Sequence, residues 1–249
     1  MRHAPQVVNA TGTRRARRRG APVVLACLAL LGGCVSVELP TIAHVHVGHA
    51  ITGWTDTPEG KGLCEVAQAE AAVATEHAAY AVEGARDPAS VRLHLGHVLH
   101  AVDPSREASG PGSGYGLLKS LDGCIDHLGF AISVPDASAN LKAGTTPLLA
   151  ALQPLKQEAR TVAAMALQAR QSGDAALTLA FAQEVRQRSD RLLVGLVQAR
   201  QRLSTVLAAE APPYRTVSRH YLFGIIQLPS GDWAWASWIR QPSGSAHRH

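Results

Sequence analysis

Aromatic side chains make up 4% of the 249 residues and charged ones 17%. Few rings among many alanines and leucines favour helices, because alanine has the best helix propensity and small side chains let helices approach closely. The motifs that mark common chemistries are missing. There is no Cys-x-x-Cys-His for covalent haem, no His-Glu-x-x-His, no P-loop and no Gly-x-Ser-x-Gly. Gly112-Ser113-Gly114-Tyr115-Gly116 has neither the preceding strand nor the spacing of a dinucleotide site and reads as a loop. Nothing in the sequence favours an enzyme.

The N-terminus reads as an address. Arg14, Arg15, Arg17, Arg18 and Arg19 precede an apolar run from Ala21 to Leu31, far shorter than the roughly 20 residues a membrane-crossing helix needs. The run ends in Leu31-Gly32-Gly33-Cys34, which resembles the lipobox of bacterial lipoproteins. That resemblance covers this segment alone. It implies cleavage before Cys34, diacylglycerol on its thiol and acylation of the new amino terminus. More than one chain matters, since a single acyl chain holds a protein only marginally. Val35 in place of Asp implies, by the same resemblance, the periplasmic face of the outer membrane. An ordinary secretory signal with a chance cysteine is the alternative.

Removing residues 1–33 takes away six of the 24 basic residues and none of the 19 acidic ones, leaving 18 against 19. No basic stripe remains for nucleic acid. Four cysteines reduce to two in the same way, because Cys27 leaves and Cys34 is lipidated. Cys64 and Cys124, in an oxidising compartment, are expected to form a disulfide, with buried thiols or metal ligation as alternatives.

The pattern predicts an all-α bundle of four or five main helices with an extended N-terminal arm and a small C-terminal hairpin. The divisions are a signal peptide (1–33), a lipidated arm (34–57), the bundle (58–211), a Trp-rich hairpin (212–240) and a disordered tail (241–249). The arm, from Val35 to Gly53, is rich in β-branched residues, with Ala43, Val45 and Val47 alternating with His44 and His46. Helices are expected over Pro58–Ala85, a shorter stretch from Asp87-Pro88 to Val102, Tyr115–Ser133, Leu155–Gln171 after interruptions at Pro147 and Pro154, and Ala175–Ala209. His220–Leu228 and Trp233–Ile239 suggest the hairpin. Its Trp233, Trp235 and Trp238 could cap the bundle, bind an envelope protein partner or rest at a membrane interface.

The histidines are the strongest remaining feature. In a strand His44 and His46 would share a face, and Gly48 would let His49 return toward them. Neutral imidazoles suit zinc, copper, nickel and iron. His94, His97 and His100 are spaced three apart in a helix whose apolar face is Val91, Leu95, Val98 and Val102. His100 lies nearly opposite that face, so all three cannot bind one ion, but His94 with His97, or His97 with His100, could supply a pair completed by another element. His77 and His127 have Glu70, Glu76 and Asp126 near them in sequence. The expectation is a site for a transition metal, copper or zinc ahead of iron or b-type haem, built on His44, His46 and His49 and completed by one or more of His77, His94, His97 and His127. Solvated or core-edge histidines on a structural or interaction lipoprotein that docks an envelope complex are the alternative.

Overall fold

The computed structural model describes residues 36–38, 41–211 and 214 and three short stretches, 221–222, 225–227 and 233–237. Among these residues the chain is mostly helical. Six helices form the body: α1 (Ile42–Ile51), α2 (Leu63–Glu83), α3 (Pro88–Val102), α4 (Leu117–Ser133), α5 (Ala139–Gln171) and α6 (Ala175–Ala208). None of the described helices is long and apolar enough to cross a membrane. Cys34 and the whole segment before it lie outside the described residues, as does the tail from residue 241. Ile225–Gln227 and Trp233–Ser237 are strand segments, but the turn that would make them the expected hairpin lies outside the described residues, as does Trp238.

The arm is the main departure from the sequence reading, because its central part is helix α1. Thr41 caps it, its Oγ1 accepting from the His44 backbone N–H at 3.1 Å. Asp136, beyond the end of α4, accepts from the backbone N–H groups of Ile42 and Ala43 at 2.6 and 3.2 Å. Three of the amide groups that a helix start leaves without partners are thereby satisfied. Ala43, Val47 and Ala50 are buried, a helical spacing that overlaps the apparent alternation at 43, 45 and 47. Tertiary support outweighs the β-branched composition.

Two other boundaries differ. Pro58–Gly60 forms a separate 3-10 turn, in which Glu59 and Gly60 both take positive φ, and α2 begins only after Gly62. A side chain at Gly62 would collide with the backbone of Ile51, so the junction between α1 and α2 requires glycine there. In α5 the helix runs through Pro147 and Pro154 without a break. Both prolines are exposed, and their separation of seven residues puts them on one face. The carbonyls they leave without partners reach water there, while Leu148 and Leu152 hold the opposite face in the core.

Packing follows the alanines. Ala67, Ala71, Ala74, Ala78 and Ala81 line the buried face of α2, and Ala159, Ala163, Ala166 and Ala169 that of α5. Leucines fill the space between: Leu95 and Leu99 from α3, Leu117, Leu121 and Leu128 from α4, and Leu192 from α6. Burying each such leucine contributes about 1.5–3 kcal/mol. Cys64 at the start of α2 and Cys124 in α4 have their sulfurs 2.08 Å apart, disulfide distance. The connection between α3 and α4 folds back on the bundle, where buried Glu70 accepts from the backbone N–H of Ser113 at 3.0 Å and from its hydroxyl.

Candidate metal centres

Helix geometry decides which histidines meet. On α1, His44 and His46 are about 200° apart around the axis, whereas His46 and His49 are about 60° apart. The two that share a flank face α4, where His127 awaits them. The Nδ1 atoms of His46 and His127 are 3.2 Å apart, and the ring of His49 lies 4.8 Å from that of His127. These three residues form the first centre.

The second centre joins α2 and α3. His94 and His97, one turn apart on α3, meet His77 of α2. The Nδ1 of His77 lies 3.1 Å from that of His94 and 3.2 Å from that of His97. In each centre the candidate ligand atoms are all within 4.8 Å of one another, the side chains are half-buried, and every member is a histidine. Each centre could hold a metal ion.

His44, expected as a ligand, joins neither. It is turned into the core, its Nε2 3.4 Å from Glu210 Oε1, its ring edge-on to Tyr214. The second oxygen of Glu210 accepts from Asn140 Nδ2 at 2.6 Å. The helical form of residues 42–51 is the cause, since the shared face expected of His44 and His46 exists only in a strand. His100 is also excluded: it is buried, and its Nδ1 lies 2.8 Å from the carbonyl oxygen of Glu107. The expected convergence of the arm on the helical histidines is thus limited to His127, while His77, His94 and His97 assemble a centre of their own. Along α2, His77 is about 20 Å from Cys64, whereas His127 stands one turn from Cys124.

The carboxylates near these histidines in sequence have other engagements. Glu70 is taken by Ser113, Glu76 accepts from the Tyr80 hydroxyl at 2.6 Å, and Asp126 is exposed. Adjacent residues on a helix do not face one another, which keeps Glu76 out of the ligand set beside His77.

Aromatic walls flank both centres. The ring of Trp54 is 4.6 Å from His49 and 4.8 Å from His127, and Phe130 is 5.4 Å from His46 and 5.8 Å from His127. Tyr80 stands 5.4 Å from both His77 and His94. The sequence reading passed over these three. Spacing could have found two of them, since Phe130 follows His127 and Tyr80 follows His77 by three residues, one helical turn. Trp54 lies in the turn after α1, and no periodicity points to it.

Burial and mutual repulsion lower the pKa of three of these imidazoles, those of His127, His77 and His97. Desolvation, then His49 and His46, lower the pKa of His127 to about 4. Desolvation, then His97 and His94, push His77 below the ordinary histidine value, with Glu76 opposing. His97 is lowered by burial first, then by His94, His100 and Arg170. A histidine must be neutral to ligate, so little proton competition opposes a metal at neutral pH.

Comparison with protein-family models, with curated proteins and with solved structures finds no match for this chain.

Proposed function

We propose that this chain is a lipid-anchored envelope protein that binds transition-metal ions of the copper and zinc class, one at each three-histidine centre. The observation that carries the reading is the pair of contacts made by one atom. His77 Nδ1 has two other Nδ1 atoms within 3.2 Å. A neutral imidazole nitrogen has either one N–H or one lone pair in the ring plane, so it cannot form a good hydrogen bond with both neighbours. A metal ion can accept all three lone pairs. At metal–nitrogen distances of about 2.0–2.1 Å, two ligands on a tetrahedral ion are about 3.3 Å apart, close to the spacing here.

The donor set also bears on the occupant. Imidazoles without carboxylates suit copper, zinc or nickel rather than magnesium or calcium. A b-type haem held by two histidines needs them on opposite faces of the macrocycle, and nitrogens in mutual contact leave no layer for it. Anchoring through Cys34 belongs to the same proposal and rests on the lipobox resemblance.

The test is metal analysis with an absorption spectrum on the full chain purified in detergent. About two equivalents of copper or zinc are expected, with one lost on H77A or H94A and the other on H46A or H127A. Protein that is metal-free and takes up neither ion overturns the reading. A second reading, a bundle that docks an envelope partner, would then lead. Its support is the exposure of Phe130 beside the first centre (51%) and of Leu93 on the helix carrying the second (56%).

A further inference from the structure

Among the described residues the second centre, His77, His94 and His97, provides three ligands and no fourth. Among the described residues its ligand group contains no carboxylate and no thiolate. The nearest carboxylate in sequence, Glu76, is bound by Tyr80 and points off a different side of α2 from His77. His100, the next histidine along α3, is committed to the Glu107 carbonyl. Tyr80, whose ring flanks two of the ligands, is 39% exposed, and the histidines are only half-buried. Water therefore reaches the centre.

Structural zinc sites are closed by four protein ligands, whereas sites with three keep a position for water or substrate. Three neutral imidazoles also leave the charge of a divalent ion uncompensated by the ligands. An anion in the remaining position would lower that charge. We infer that the second centre, loaded with a divalent ion, is an open site whose fourth position holds exchangeable water and accepts small inorganic anions. This deepens the metal reading and rests on it. The partner class is a small anionic ligand such as azide or hydrogencarbonate, bound directly to the metal.

Cobalt(II) is the probe, because its visible bands report coordination number and respond to ligand exchange. The full chain carrying H46A and H49A, which removes two ligands of the first centre, is loaded with cobalt(II) and titrated with sodium azide. H127Q, a single change on a different helix, repeats the measurement in case replacing two residues of α1 disturbs folding. Helical circular dichroism verifies both. The expected result is one bound cobalt with low-coordinate bands that azide shifts saturably, one azide per cobalt. Adding H94A should remove both the bands and the azide response. Stoichiometric cobalt, lost on H94A, whose spectrum azide leaves unchanged would mean a closed site and overturn this inference while leaving metal binding intact. Failure of folded protein to bind cobalt, zinc or copper at all would overturn both.

Discussion

His46 and His127, 81 residues apart in the chain, bring their Nδ1 atoms to 3.2 Å across the contact between α1 and α4. Ligands contributed by two helices make binding a bridge between elements, and an ion that binds only the folded arrangement stabilises it by mass action. Zinc at a hundredfold excess over its dissociation constant is expected to add about 2.7 kcal/mol per site. Thermal unfolding with and without zinc tests this. H127A should remove the part due to the first centre, and H94A the part due to the second. A melting temperature unmoved by zinc in the unsubstituted chain would contradict both.

The metal-free protein should lose stability in mild acid. His127 has its pKa lowered to about 4 in the fold, against about 6.5 in an unfolded chain. Between these values the unfolded state binds more protons, so stability is full above about pH 6.5 and falls as pH drops toward 4. His77 and His97 shift in the same direction and add to the slope. Solvent screens the half-buried ring of His127, so its own share is on the order of 1–2 kcal/mol. Urea denaturation at pH 7 and pH 5 measures it, and H127Q should flatten the dependence.

Reduction of Cys64–Cys124 releases a closure of 60 residues. The chain-entropy account assigns such a loop about 4 kcal/mol. C64S/C124S is expected to unfold at lower denaturant while keeping its helical signal in buffer. An unchanged midpoint would show that the helices hold one another without the bridge.

Glu210→Ala strips buried His44 of its partner and leaves the Asn140 amide with one acceptor fewer. An unsatisfied buried polar group costs roughly 1–3 kcal/mol, and the loss should appear in unfolding while metal stoichiometry stays at its original value. His44→Ala should likewise leave metal content unchanged. A drop in bound metal in H44A would return that residue to the ligand set.

Much of the bundle was legible in the sequence because caps and breakers are local. Asp87, Asp103, Pro135 and Ser172-Gly173-Asp174 fall between helices, Pro88 opens α3, and Asp87 and Asp174 cap α3 and α6 through their side chains. Helical rotation alone left two candidate pairs, His94 with His97 and His97 with His100, and the fold selects the first by committing His100 to the Glu107 carbonyl. What sequence could not supply was the conformation of residues 42–51. Their β-branched side chains favour a strand, and the carboxylate that satisfies the helix start comes from Asp136, more than 90 residues away. Read as a strand, these residues put His44 beside His46; as a helix they turn it into the core against Glu210. The prolines of α5 misled for a related reason, because both lie on the exposed face, where packing of the opposite face carries the helix through the lost hydrogen bonds and ring clashes.

The disulfide joins α2 to α4, and these helices contribute the lone histidine of each centre, His77 and His127. The paired histidines sit on α1 and α3, which no disulfide ties to another helix among the described residues. The cross-link lies one turn from His127 but about 20 Å along α2 from His77, so it braces the first centre far more directly than the second. The two candidate centres therefore share one cross-linked pair of helices, and each is completed by a helix held to that pair by packing.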